Sequence, residues 1–107
     1  MITATIFKEE GLIKGYKISG HADFAEYGSD IVCSAVSALA INCCNSICEL
    51  TTDRPVIKSD DKNGGYLMVN LSHPLPESEL LLKSFELGIK SVAEGYGKYV
   101  KIVYSDR

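Results

Sequence analysis

A nucleophile and a base lie twelve positions apart in SGHADFAEYGSDIVCSAVSAL, the stretch from Ser19 to Leu39. His21 stands in a turn of small residues, with Gly20 and Ala22 on either side, and Cys33 stands where an apolar helix begins. Counted from an N-cap at Asp30, Cys33 is the third helical residue. Backbone N–H groups there lack intrahelical partners and the helix dipole is positive, and both favour a thiolate. The same N–H groups can hold an oxyanion formed from a peptide carbonyl. An imidazole can take a thiol proton near neutral pH. Ordinary roles compete with this chemistry. A free cysteine is most often a small core hydrophobe, and a lone loop histidine is most often solvated or structural.

Neighbouring residues extend the set. Asp30 suits an N-cap, or it can orient His21 through the ring N–H as the third member of a Cys–His–acid set. To do the second it must face the imidazole, because a carboxylate beside the sulfur opposes the thiolate. Ser37 lies one turn beyond Cys33 on the same helix face and could donate to the thiolate or to a substrate, or simply bond its own backbone. The segment Ala22, Asp23, Phe24, Ala25, Glu26, Tyr27 and Gly28 has no clear period and reads as a loop between the two reactive residues. It could close over a peptide and bring His21 to Cys33. Cys43, Cys44 and Cys48 lie further into the helix, where the dipole no longer helps, and read as core. Cys44 and Cys48 at i, i+4 are too few for a structural zinc site, so zinc is not expected. His73 before Pro74 reads as loop, Asp60–Asp61 as a solvated strand end, and KNGG as a hairpin turn.

Elements follow from periodicity. ITATIFK alternates and is rich in β-branched residues, and LIKGYKISG follows after a KEEG turn, so the two form a hairpin. SDIVCSAVSALAINCCNSICELTT has Val32, Val36, Leu39, Cys43, Ile47 and Leu50 at helical spacing, with Ile31, Ala35, Ala38, Ile41 and Cys48 widening the apolar surface. A helix apolar on most sides is central to the fold or to a subunit interface. RPVIKSDD and YLMVNLS form a second hairpin. ESELLLKSFELGIKSVAEGYG reads as an amphipathic helix with Leu81, Phe85, Ile89, Val92 and Tyr96 inward, and KYVKIVYS is a last strand. The expectation is one α+β domain over residues 1–107. It is a two-layer ββαββαβ arrangement with a mixed sheet, two helices and a central apolar first helix. Strand order is not readable.

Composition narrows the classes. The chain has 107 residues, a length at which one core suffices without disulfides. With 11 Lys and Arg against 14 Asp and Glu, the formal net charge is -3. That argues against a general nucleic-acid binder, so no direct nucleic-acid contact is expected. A basic partner segment would suit a mildly acidic surface. No stretch reads as a signal peptide or as an unbroken apolar membrane span, which leads to a cytoplasmic expectation with mostly reduced cysteines.

The longer pattern is more specific. G-H-A-x-x-A-x-x-G-x-D-I-V-C-x-A-V-S, carried by Gly20, His21, Ala22, Ala25, Gly28, Asp30, Ile31, Val32, Cys33, Ala35, Val36 and Ser37, resembles the signature of the Prp family of bacterial ribosomal-processing cysteine proteases. Ser34 stands where alanine is common in that family, a change that leaves the chemistry alone. The resemblance implies a cysteine endopeptidase with Cys33 as nucleophile and His21 as general base, and with Asp30 and Ser37 at site-linked positions. It implies removal of a short N-terminal extension from a large-subunit ribosomal protein, cut after an aromatic and before a small residue. It also implies a homodimer with a mobile 22–28 substrate loop and no metal or cofactor. The competing reading is a non-catalytic dimer that binds a ribosomal protein during assembly.

Overall fold

The computed structural model describes residues 1–21, 29–60 and 65–106, and of Ser29 and Asp30 it describes the backbone only. The expected order ββαββαβ is present: β1 Ile2–Glu9, β2 Leu12–Ser19, α1 Ser29–Leu50, β3 Val56–Ser59, β4 Tyr66–Asn70, α2 Pro76–Gly95 and β5 Val100–Asp106. Glu10 and Gly11, with φ of 53° and 82°, make the tight left-handed turn of the first hairpin, where glycine bears no Cβ penalty. The strands form one five-stranded sheet in the order β3-β4-β2-β1-β5. All pairings are antiparallel except β1 with β5, so the sheet is mixed.

Both helices cover the same sheet face. Tyr16, fully buried on β2, donates its hydroxyl to the Ala40 carbonyl of α1 at 2.6 Å, and its ring stacks on Phe85 of α2 with centroids 4.1 Å apart. Around it the core gathers Ile2, Ala4 and Ile6 of β1, Val32, Val36 and Ile47 of α1, and Leu82 and Ile89 of α2. Leu82 rather than Leu81 is fully buried on α2, so the inward stripe runs through Leu82, Phe85 and Ile89, and Tyr96 is exposed. Asp53 supplies the cap that α2 lacks locally. Its carboxylate accepts from the Leu75 N–H at 2.9 Å and the buried Ser78 hydroxyl at 2.6 Å, at the positive end of the helix.

Helix α1 is more apolar than the sequence reading allowed. Ile31–Leu50 is long and apolar enough, by length and composition, to cross a membrane, with a mean hydropathy of 1.8. Here one face of it packs into the core, while Ile31, Ile41 and Leu50 stay exposed. The four cysteines are free thiols. Cys43 and Cys44 are buried, as core residues should be, and burial pushes the Cys43 thiol up to about 12 and the Cys44 thiol up to about 11. Burial also raises the Tyr16 hydroxyl far above the phenol range.

These shifts have a stability consequence. The folded values lie above those of the unfolded chain, ~8.5 for a thiol and ~10 for a phenol, so folding favours the protonated forms. Their contribution is complete below pH ~8.5 and is lost as pH climbs toward the folded values. The melting temperature in reducing buffer is therefore expected to hold from about pH 7 to 8 and to fall above about pH 9, less steeply in Cys43→Ala. A melting temperature flat to about pH 11 would contradict the burial assigned to these groups.

Candidate active site

Strand β2 ends at Ser19, and two residues later the chain reaches His21, which is exposed. Three backbone arrangements fix that end. Gly20, at φ 88°, donates its N–H to the Gly65 carbonyl at 2.9 Å. The Met1 amino group donates to the His21 carbonyl at 2.7 Å. Gly65, at φ 71°, lies flat against the imidazole, so that a Cβ there would fall on the ring, 3.0 Å from Cδ2 and closer still to Cε1 and Nε2. The glycines at 20 and 65 are thus two sides of one contact. The first lets the β2 end pass Met1, and the second leaves room for the histidine.

Cys33 lies on the facing element. Helix α1 begins at Ser29, which makes Cys33 its fifth residue and puts Asp30 inside the first turn. The count of three from an Asp30 cap is corrected by this earlier start. The unpaired N–H groups of the helix belong to the residues before Cys33, and its own N–H falls within the helical ladder. The geometry still serves the thiol, because a helical Cα–Cβ bond tilts toward the N-terminus and carries Sγ back over the first turn. Cys33 is half-buried, in contrast to Cys43 and Cys44.

His21, Cys33 and Ser37 line one cavity of about 420 Å³. Its floor is apolar, from Ile2, Ile18, Val36, Ala40 and Leu67, and its far wall comes from the second hairpin through Ser59, Asp60, Gly65 and Tyr66. That wall was not anticipated. Asp60 reads in sequence as a solvated strand end and Gly65 as part of a turn, and only the pairing of β4 beside β2 carries Gly65 to His21 and Asp60 to the cavity. A signal existed in the adjacent glycines before Tyr66, since a left-handed glycine often marks a close approach of backbone to another group. The proposed loop, Ala22 to Gly28, and the Asp30 side chain lie outside the described residues.

A small α+β domain with a thiol and an imidazole on the walls of one cleft has the layout of a thiol-dependent hydrolase. Comparison with known proteins agrees with this class. The sequence model of the cysteine protease Prp family matches residues 1–101, and the chain belongs to that family. It is 33% identical over 105 residues to the ribosomal processing cysteine protease Prp of Staphylococcus aureus, covering 97% of this chain and 99% of that one. To the Bacillus subtilis protein of the same name it is 28% identical over 109 residues, covering 95% and 96%. Among solved structures, the S. aureus protease with a covalently linked product peptide matches with a TM-score of 0.88 at 34% identity, over 98% of this chain and 100% of that one. A crystal structure from Streptococcus mutans matches with a TM-score of 0.88 at 33% identity, over 100% of this chain and 96% of that one. Membership of a peptidase family displaces the reading of the chain as a non-catalytic binder.

The Gly65 contact can be tested directly. Gly65→Ala adds a methyl group against the ring and strains a left-handed backbone, and is expected to cost about 1 kcal/mol or more, ~4–8 °C in melting temperature. It should also shift the His21 ring resonances in NMR spectra. Gly95→Ala, where an added Cβ meets open space at the end of α2, should leave the His21 resonances in place and should not lower the melting temperature. Unmoved His21 resonances in Gly65→Ala would show that the glycine does not set the ring position.

Proposed function

We propose that the cavity is the active site of a cysteine endopeptidase in which Cys33 is the nucleophile and His21 the general base. The observation that carries this is the convergence of His21, Cys33 and Ser37, from a strand end and a helix start, on one cleft. The thiol proton passes to the imidazole as Sγ attacks the scissile carbonyl. The imidazolium then returns the proton to the departing amine, and water hydrolyses the thioester. First-turn amides of α1 supply donors for the oxyanion. Ser37 donates toward sulfur or substrate, Asp30 orients the imidazole, and residues 22–28, which join His21 to α1, contact the peptide.

The substrate we infer is the N-terminal extension of a large-subunit ribosomal protein, cut in the cytoplasm during ribosome maturation. The names of the relatives support a ribosomal substrate, and the S. aureus protease crystallised with a substrate peptide, matched here with a TM-score of 0.85, supports a peptide one. The apolar floor suits an aromatic side chain before the cut. Cys33→Ala is expected to abolish cleavage of such an extension peptide, His21→Ala to lower it by at least ~10²-fold, and Cys44→Ala to leave it unchanged. Mass spectrometry of the peptide checks each variant. Cleavage by Cys33→Ala at the normal rate would end this mechanism.

We further infer a homodimer through α1. From Ile31 to Cys48 the helix carries no charged residue, and its outward face shows Ile31, Ala38 and Ile41 to solvent. An uncharged face of small and apolar groups meets its own copy without charge repulsion. Ile41 also lines the cavity, so a second copy there would stand beside the site. Sedimentation equilibrium should give a dimer for the wild type and a monomer for Ala38→Arg, and a monomeric wild type would refute the interface.

A further inference from the structure

The sheet has a second face, and neither helix touches it. Tyr16 places α1 and α2 on one side, and no other described element lies over the opposite side. Strand residues alternate between faces, so the pairing registers assign the outward residues. One row crosses the sheet as Val103, Thr5, Lys17, Met68 and Lys58. The next brings Lys101 and Thr3 beside Ser19. Three outward strand positions are thus lysine, against two carboxylates that the same alternation places on this face: Asp60, opposite Tyr66 at the end of β3, and Glu9, beyond the β1 irregularity at Phe7/Lys8. Lys58 and Lys101 are exposed and Lys17 is half-buried, and none of the three has an ion-pair partner among the described residues. The carboxylates of α2 lie on the other side of the molecule, where Glu79 and Glu86 pair with Lys83, Lys90 and Lys8.

We propose that this uncovered face binds the phosphate backbone of RNA. Strands stand ~4.8 Å apart, so Lys17 and Lys58, two strands from each other, have backbones ~10 Å apart, and the face is ~19 Å wide from β5 to β3. That spacing fits successive charges along a polymer rather than one small anion. Thr5 is buried between its neighbours, but the half-buried Thr3 and Ser19 beside Lys101 bring hydroxyl donors of the kind that position nucleic-acid backbones. Charge excludes other occupants. A second copy would set the lysines against their own mates across a two-fold axis, and a basic ribosomal-protein segment would be repelled. The expectation of no nucleic-acid contact, drawn from whole-chain charge, averaged over this segregation. The inference is independent of the protease reading, since RNA binding and peptide cleavage are separate measurements.

Fluorescence anisotropy with single-stranded polyuridine tests it, with anionic phosphatidylserine vesicles and polyglutamate in parallel arms. The wild type is expected to bind RNA at about 50 mM salt with strong salt dependence. The variant Lys17→Gln/Lys58→Gln/Lys101→Gln should lower the log–log salt slope by ~2, at ~0.7 per lost phosphate contact. Its melting temperature and its turnover of a short uncharged peptide should match the wild type. The proposal falls if the wild type does not bind RNA at that salt, or if the triple variant keeps the wild-type slope. It also falls if vesicles or polyglutamate bind more tightly than RNA.

Discussion

The hydroxyl of Tyr16 is the contact on which the rest of the arrangement turns. A phenol buried in the middle of a sheet must find a hydrogen-bond partner, and it finds the Ala40 carbonyl at 2.6 Å while its ring lies on Phe85. One side chain thus ties β2 to both helices. Ala40 lies seven residues beyond Cys33, two helical turns, so the two share a face. The bond that turns Ala40 toward β2 therefore also turns Cys33 toward the strand whose end leads to His21. Cys43 and Cys44 complete the surroundings of the phenol, which is why they are core thiols while Cys33 opens onto the cleft.

The second hairpin does for His21 what the tyrosine does for Cys33. Its strand β4 pairs with β2 from Gly15 to Ser19, and the ladder is continued by the bond from the Gly20 N–H to the Gly65 carbonyl. The imidazole is left with a backbone surface on one side and the cleft on the other. The same pairing delivers Ser59, Asp60 and Tyr66 to the cleft, so the hairpin both backs the histidine and builds the wall a peptide would meet.

Polarity is distributed by element. The long face of α1 is uncharged, α2 carries paired acids and bases, and the outward strand positions carry lysines. Whole-chain values such as net charge or mean hydropathy average over these surfaces and hide them. Helix α1 shows the same effect in hydropathy. It is long and apolar enough to cross a membrane, yet its buried positions recur at the spacing of a helix seated on a sheet.

Much of the fold was legible in the chain itself. Alternation in β1 and β2, the Gly11 turn, the helical spacing from Val32 to Ile47 and the order of elements all depend on local backbone preferences and on neighbours a few residues apart. The distinction of Cys33 from the other three cysteines was local too, since it depends on distance from a helix start. Helix roll was less legible. Leu81 and Leu82 are equally apolar and both neighbour Phe85 on the helix, so only the seat of α2 on the sheet decides which is buried. The cavity wall was not legible, because Asp60 and Gly65 reach the cleft through the placement of β4 beside β2. Local sequence thus set the elements and the reactive residue types. Tertiary structure alone decided which faces meet, because strand order is set by packing among segments far apart in the chain.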